Sequence, residues 1–192
     1  MPKIGMEPIR RASLIKATIA EMGDVGSLEV TVSRIAKRAG MSSALAHHYF
    51  GSKEAMFLAA MRHVLAVYGA EVRGALVAAD GPEARARAVI RASFSASNFR
   101  REVVSAWLNF YVLAQTQDEV RRLLVVYQRR MVSNLAHALR PLMGARAADV
   151  ACSIAAMIDG AYLHAALGAE TPDAARAIAR VEAYLTLALT AG

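Results

Sequence analysis

The sequence predicts an all-α protein, on three observations. Apolar residues recur at steps of three and four along almost the whole chain. No segment alternates polar and apolar residues for long enough to make a strand. The clearest Gly and Pro breaks fall between the periodic segments. Apolar residues make up 56% of the 192, enough for a substantial core in one large domain or in a small domain joined to a larger one.

The elements follow in order. Pro8 suits a first helical turn, where its missing N–H costs nothing; Ala12, Ile15, Ile19 and Met22 then keep the helical step, and Gly23 is the expected stop. Thr31 is placed to cap a short helix carrying Val32, Ile35, Ala36 and Ala39 on one side, closed by Gly40. Ser42 caps a second short helix running to about Phe50. After the Gly51-Ser52 break, Ser52 caps a long helix from Lys53 to about Ala79. The Asp-Gly-Pro at 80–82 is the sharpest interruption in the chain. Beyond it the pattern predicts helices at about 83–99, 102–115, 118–143, 147–168 and 173–190, punctuated by Gly144, Gly168 and Thr171-Pro172. The expected architecture is about nine helices: three short ones in an N-terminal module, residues 1–52, and a larger helical domain, residues 53–192.

Charge gives the module a task. The whole chain carries a net +7, which suits an anionic partner without naming it. Residues 31–53 hold Arg34, Lys37, Arg38 and Lys53 and no acid. Two short helices joined by a turn containing Gly make a helix-turn-helix arrangement. On the second helix Ala46 and Phe50 lie one turn apart and would face the core. Ser43 with His47, Ala44 with His48, and Leu45 with Tyr49 lie on other faces. Hydroxyls, imidazoles, a phenol and small apolar groups reach base edges and phosphates in a major groove; a solvated basic helix pair is the alternative.

The stretch "TVSRIAKRAGMSSALAHHYFGSKEAMF" resembles the DNA-binding segment of TetR-family transcriptional repressors: a capping Thr, an Ile-Ala pair, Ala-Gly before the turn, an aromatic pair, then Ser-Lys opening the fourth helix. "MPKIGMEPIRR", "ALAHHYFGSK", "AWLNFYVLAQ" and "IDGAYLHAAL" together resemble one subgroup, the choline-responsive repressors of glycine-betaine synthesis genes. The resemblance implies that Thr31 touches phosphate, that Ser43, Ala44, Leu45 and His47 lie nearest base edges, and that His48 and Tyr49 reach the backbone. It also places Lys53 on phosphate, in a first turn that already favours an anion. Many members carry a tyrosine where this chain has His47; an imidazole can serve a base or a phosphate, so its role stays open here.

The larger domain holds nine of the twelve aromatics beyond residue 63. Trp107, Phe110 and Tyr111 share one helix face, and core packing is the simplest use for them. A quaternary ammonium, the inducer that the resemblance implies, is held by aromatic faces. Asp159 is the only Asp, Glu, Lys or Arg between Val150 and Ala169; it requires a partner, either an Arg or Tyr on a neighbouring helix or the cation of a ligand. Asn109 is placed to hydrogen-bond a hydroxyl or to face water, and Tyr162 completes the expected choline set.

The last two helices are rich in Ala and Gly, as helices that approach closely across a dimer are, unless they complete the monomer's own core. The expected partners are palindromic double-stranded operator DNA, a second copy of the chain, and choline or a similar quaternary ammonium. No enzymatic set, metal cluster, cofactor motif or membrane span is expected, because no Ser-His-acid set, phosphate loop or uninterrupted apolar run is visible. The lone Cys152 and the absence of an apolar signal core at the start point to the cytoplasm. A repressor of the same kind answering a different cation or an apolar molecule, and a helical enzyme or scaffold with a basic surface, are the rival readings.

Overall fold

The computed structural model describes residues 5–25 and 30–191; residues 1–4, part of the opening segment quoted above, lie outside the described residues. Nine α-helices are found among them: α1 (Met6–Val25), α2 (Val32–Arg38), α3 (Ser43–Phe50), α4 (Lys53–Ala78), α5 (Pro82–Ser93), α6 (Arg101–Thr116), α7 (Asp118–Met143), α8 (Ala147–Leu167) and α9 (Ala174–Thr190). The three hydroxyl caps form. Thr31 Oγ1 accepts from the Arg34 N–H at 3.3 Å, Ser42 Oγ from Leu45 at 3.2 Å, and Ser52 Oγ from Ala55 at 3.1 Å. Gly40 turns the chain between α2 and α3 at φ +68, a conformation that side chains with a Cβ resist.

Two expectations needed correction. The first helix is not short and does not stop at Gly23; it runs 20 residues, to Val25. Gly23 is there for packing instead. A Cβ on it would lie 2.6 Å from the Glu102 Cα, so its absence lets α1 press against the first turn of α6. The helix expected over 83–99 ends at Ser93. Polar side chains past that point compete with helical bonding: Asn98 Nδ2 donates to the Ala92 carbonyl at 2.9 Å and to Glu71 on α4 at 2.6 Å, while Ser95 and Ser97 hydroxyls donate to the same carboxylate, each at 2.5 Å.

One contiguous core joins the two parts. Leu14, Met22, Ile35, Ala46 and Met56 are fully buried or nearly so in the N-terminal part, as are Ile90, Phe110, Leu135, Ile158 and Leu185 in the body. Helix α4, 26 residues and about 39 Å long at 1.5 Å per residue, belongs to both. It packs on α1 and α3, and also on α5, α6 and α7. By length and composition Lys53–Ala78 and Asp118–Leu167 could cross a membrane, but here their apolar faces supply core residues such as Phe57, Met61, Met131 and Ile154.

Candidate functional site

The basic module puts its charge in a different pattern from the one its sequence suggests. Arg34 and Arg38 both reach back to Glu21 on α1, at 2.8 and 2.6 Å, and Arg38 also pairs with Asp24. Glu21 is 4% exposed. Burial pushes its carboxyl up, but the hydrogen bonds and charges of the two arginines outweigh this and hold it below the usual carboxylate range. Half of the four cations between 31 and 53 therefore staple α2 to α1. Lys37 is exposed, and the Lys53 ammonium lies 5.8 Å from the Phe57 ring centroid. Because the folded pKa of Glu21 is depressed, its contribution is present above the unfolded pKa and lost as pH falls through the folded one. Glu21→Gln should destabilise the module by roughly 1–3 kcal/mol at neutral pH. The difference from wild type in thermal melts should shrink as the pH is lowered through the carboxylate range.

Two cations that sequence reasoning passed over come from α1. Arg11 donates to the Tyr49 carbonyl at 2.5 Å and lies over the Phe50 ring at 5.0 Å, and Arg10 reaches the Tyr49 hydroxyl at 3.5 Å. They fix the end of α3. Ala44, His47 and His48 are exposed; Ser43, Leu45 and Tyr49 are partly so, and Ala46 is buried as expected. His47 Nδ1 lies 3.0 Å from the Gly51 carbonyl. A carbonyl can only accept, so Nδ1 is the donor in this contact.

In the body, Trp107 is 4% exposed and sits among rings. Its neighbours are Tyr127 at 4.6 Å between centroids, Phe110 at 5.6 Å, Tyr111 at 5.7 Å and Tyr162 at 5.9 Å; Tyr68 lies 5.4 Å beyond Tyr127. Tyr111 donates to Asp159 Oδ1 at 3.0 Å and Gln128 to Oδ2 at 3.3 Å. No cationic side chain pairs with Asp159 among the described residues. Burial pushes its carboxyl up, and the two hydrogen bonds only partly offset this. Burial, and then the nearby carboxylate, pushes the Tyr111 phenol up in turn.

Trp107, Tyr111 and Asp159 thus come together, with Phe110 behind them at 1% exposure. The other two candidates have structural work. Asn109 is buried, not facing water, and donates back to the Ser105 carbonyl of its own helix at 2.8 Å. The Tyr162 hydroxyl is directed at the Ser93 and Asn98 carbonyls at 2.6 and 3.1 Å. Tyr127 and Gln128 were missed because nothing in the linear pattern of α7 shows which neighbour they face. Beside this cluster a cleft of 410 Å³ opens between α4 and α7, with Tyr68 and Tyr127 among its lining residues.

The comparisons with known proteins agree with this anatomy. Residues 14–60 match the bacterial regulatory proteins of the tetR family, and residues 82–190 match the C-terminal model of BetI-type transcriptional repressors. The chain is 52% identical over 191 residues to the HTH-type transcriptional regulator BetI of Brucella suis biovar 1 (strain 1330), covering 99% of this chain and 96% of that one. The chain belongs to the TetR family, with a BetI-type C-terminal domain.

A second BetI regulator, from Rhizobium meliloti (strain 1021), is 47% identical over 192 residues, covering 100% of this chain and 95% of the relative. Among solved structures, a putative transcriptional regulator from Saccharomonospora viridis in complex with choline superposes with a TM-score of 0.80 at 18% identity, over 92% of this chain and 95% of that one. One from Pseudomonas aeruginosa PAO1 gives 0.76 at 28%, over 95% and 91%. This BetI-type protein is a DNA-binding transcriptional repressor, not an enzyme. The TetR-family N-terminal model extends past the Gly51-Ser52 break into α4, in keeping with a helix that packs on both parts.

Proposed function

We propose that this repressor works in the cytoplasm as a homodimer on a palindromic operator of choline-uptake and betaine-synthesis genes and of its own gene, and that choline releases it. The observation that carries the inducer is Asp159: a partly buried carboxylate held by an amide and by the phenol of Tyr111, whose ring neighbours Trp107, with no cationic side chain paired to it among the described residues. A trimethylammonium group gains from both features, the ring faces and the negative charge. The Saccharomonospora neighbour supports the reading to the extent that a protein of this fold holds choline. In linkage terms choline must bind the DNA-incompetent conformation more tightly than the competent one.

For the dimer, the support is the apolar surface left on the last helices: Leu163 and Leu167 on α8 and Leu187 on α9 are 42%, 71% and 67% exposed. One short recognition helix also reads too few base pairs to find a site alone. We place the working division between DNA-binding and inducer-binding parts at the Gly51-Ser52 break.

On DNA, Thr31, His48, Tyr49 and Lys53 take phosphates, and Ser43, Ala44, Leu45 and His47 face base edges. Thr31 keeps its hydroxyl proton for a phosphate while its oxygen caps α2. Lys53→Ala should weaken binding to all sequences and reduce the slope of log affinity against log salt by about 1, whereas His47→Ala should change the preference among sequences. An unchanged slope for Lys53→Ala would remove it from the interface.

The test of the whole reading is operator binding by fluorescence anisotropy with and without choline, beside sedimentation of the free protein. The expected result is a dimer at micromolar concentration and DNA released by choline. Release by another cation or by an apolar compound, but not by choline, would replace the inducer. A monomer would remove the palindrome.

A further inference from the structure

The cleft between α4 and α7 has a chemistry unlike that of the aromatic cluster behind it. Its volume of 410 Å³ lies within the range of small-molecule sites. Val72, Leu76 and Leu123 give it apolar lining, together with the buried rings of Tyr68 and Tyr127. Its polar lining is Arg73 from α4 with Arg130 and Asn134, one turn apart on α7. None of these three makes a hydrogen bond or ion pair among the described residues. The nearest acid along α4, Glu71, is committed to Ser95, Ser97 and Asn98. The Arg73 Nη1 lies 3.3 Å from where a Cβ on Gly69 would be, so the exposed guanidinium folds back along α4 beside that glycine.

Two guanidiniums lining one cleft, with no acid among its described lining residues, repel a quaternary ammonium and attract an anion. Arg forks match a carboxylate geometrically, and charge-assisted bonds of this kind are about twice as strong as neutral ones. We propose that this cleft is a second ligand site, for an amphipathic organic carboxylate: the head between Arg73 and Arg130 with the Asn134 amide beside it, the apolar body along Val72, Leu76 and Leu123, and the tail against Tyr68 and Tyr127. The site does not depend on choline being the inducer. The two sites share a wall, because the Tyr127 ring that lines the cleft packs on Trp107 at 4.6 Å. Trp107 is the only tryptophan, so its emission reports events at that wall.

The probe is sodium decanoate at concentrations where it is monomeric, titrated calorimetrically and by Trp107 emission into the full chain. Wild type, Arg73→Gln, Arg130→Gln and the double variant are compared, with 1-decanol as the uncharged molecule of equal tail. Both arginines are exposed, and a melting curve checks that each variant folds. Decanoate should bind wild type and shift the emission. Each single change should weaken it about tenfold and the pair about a hundredfold. Decanol should bind more weakly and be indifferent to the arginines. The site is overturned if decanoate fails to bind wild type, if the double variant binds it as well as wild type, or if decanol binds as tightly. Decanoate released from vesicles of phosphatidylcholine should act as the free anion does; binding only to the vesicle surface would also overturn it.

Discussion

Replacing Asp159 with Asn should cost choline about thirtyfold or more in affinity while raising the melting temperature of the unliganded protein at neutral pH. Both effects come from one group. The carboxylate sits among apolar α8 neighbours and is held by Tyr111 and Gln128, and burial still pushes its pKa above the ordinary carboxylate range. A raised folded pKa means that its contribution is present below the unfolded pKa and lost as pH rises through the folded one, so the ionised acid burdens the fold at neutral pH. Asn keeps the shape and removes that burden. Truncating one member of a desolvated charge pair costs about 2–5 kcal/mol of binding, and 1.4 kcal/mol is a factor of ten. Choline affinity in wild type should therefore fall as the solution is acidified through the raised pKa of Asp159, and the Asn variant should lack this dependence. Trp107 is the companion test. Trp107→Phe keeps a ring and should retain much of the binding. Trp107→Ala should lose about tenfold to thirtyfold, but a cavity of that size can cost about 3–5 kcal/mol of stability, so its melting curve belongs beside its calorimetry. Equal choline affinity in wild type, Trp107→Phe and Asp159→Asn would make these residues ordinary core.

Local chemistry was legible in the sequence, and long-range pairing was not. Thr31, Ser42 and Ser52 could be read as caps because a hydroxyl three residues before a backbone N–H acts within one turn. Trp107, Phe110 and Tyr111 could be read as one face because the helical repeat alone puts them there. Gly23 misled because a glycine that ends a helix and one that admits a neighbouring helix look alike until Glu102 is seen against it. Residues 94–99 misled because what ends α5 is mostly on another helix: Glu71, more than twenty residues earlier, collects the side chains that would otherwise sit on helix surface. The basic stretch at 31–53 overstated the charge facing outward for the same reason, since Glu21 and Asp24 lie outside it. Asp159 was legible as needing a partner, and Tyr on a neighbouring helix was one of the expected ones; Gln128 came only with the fold.

Substitution of Glu71 should separate choline binding from operator release. The Tyr162 ring touches Trp107, and its hydroxyl grips the Ser93 and Asn98 carbonyls. Asn98, Ser95 and Ser97 in turn converge on Glu71. Glu71 stands on α4, whose other end begins at Lys53, eighteen residues and about 27 Å away. A ligand that moves Tyr162 or the 94–100 segment thus has a hydrogen-bonded hold on the helix that carries the DNA-facing module. Coupling between two ligands is reciprocal and commonly amounts to about 5–150-fold. Glu71→Ala should leave choline affinity without DNA, and operator affinity without choline, within about threefold of wild type, because neither site contains Glu71. The factor by which choline weakens the operator should drop about fivefold or more. Glu71→Gln, which can still accept from the two serines, should fall between the two and guards against an Ala variant that fails to fold. The alternative route runs through α6, whose first turn presses on Gly23 of α1. If that contact alone carries the signal, both Glu71 variants will release operator with the wild-type factor, and Gly23→Ala, which forces Glu102 and α6 away from α1, will be the change that alters it.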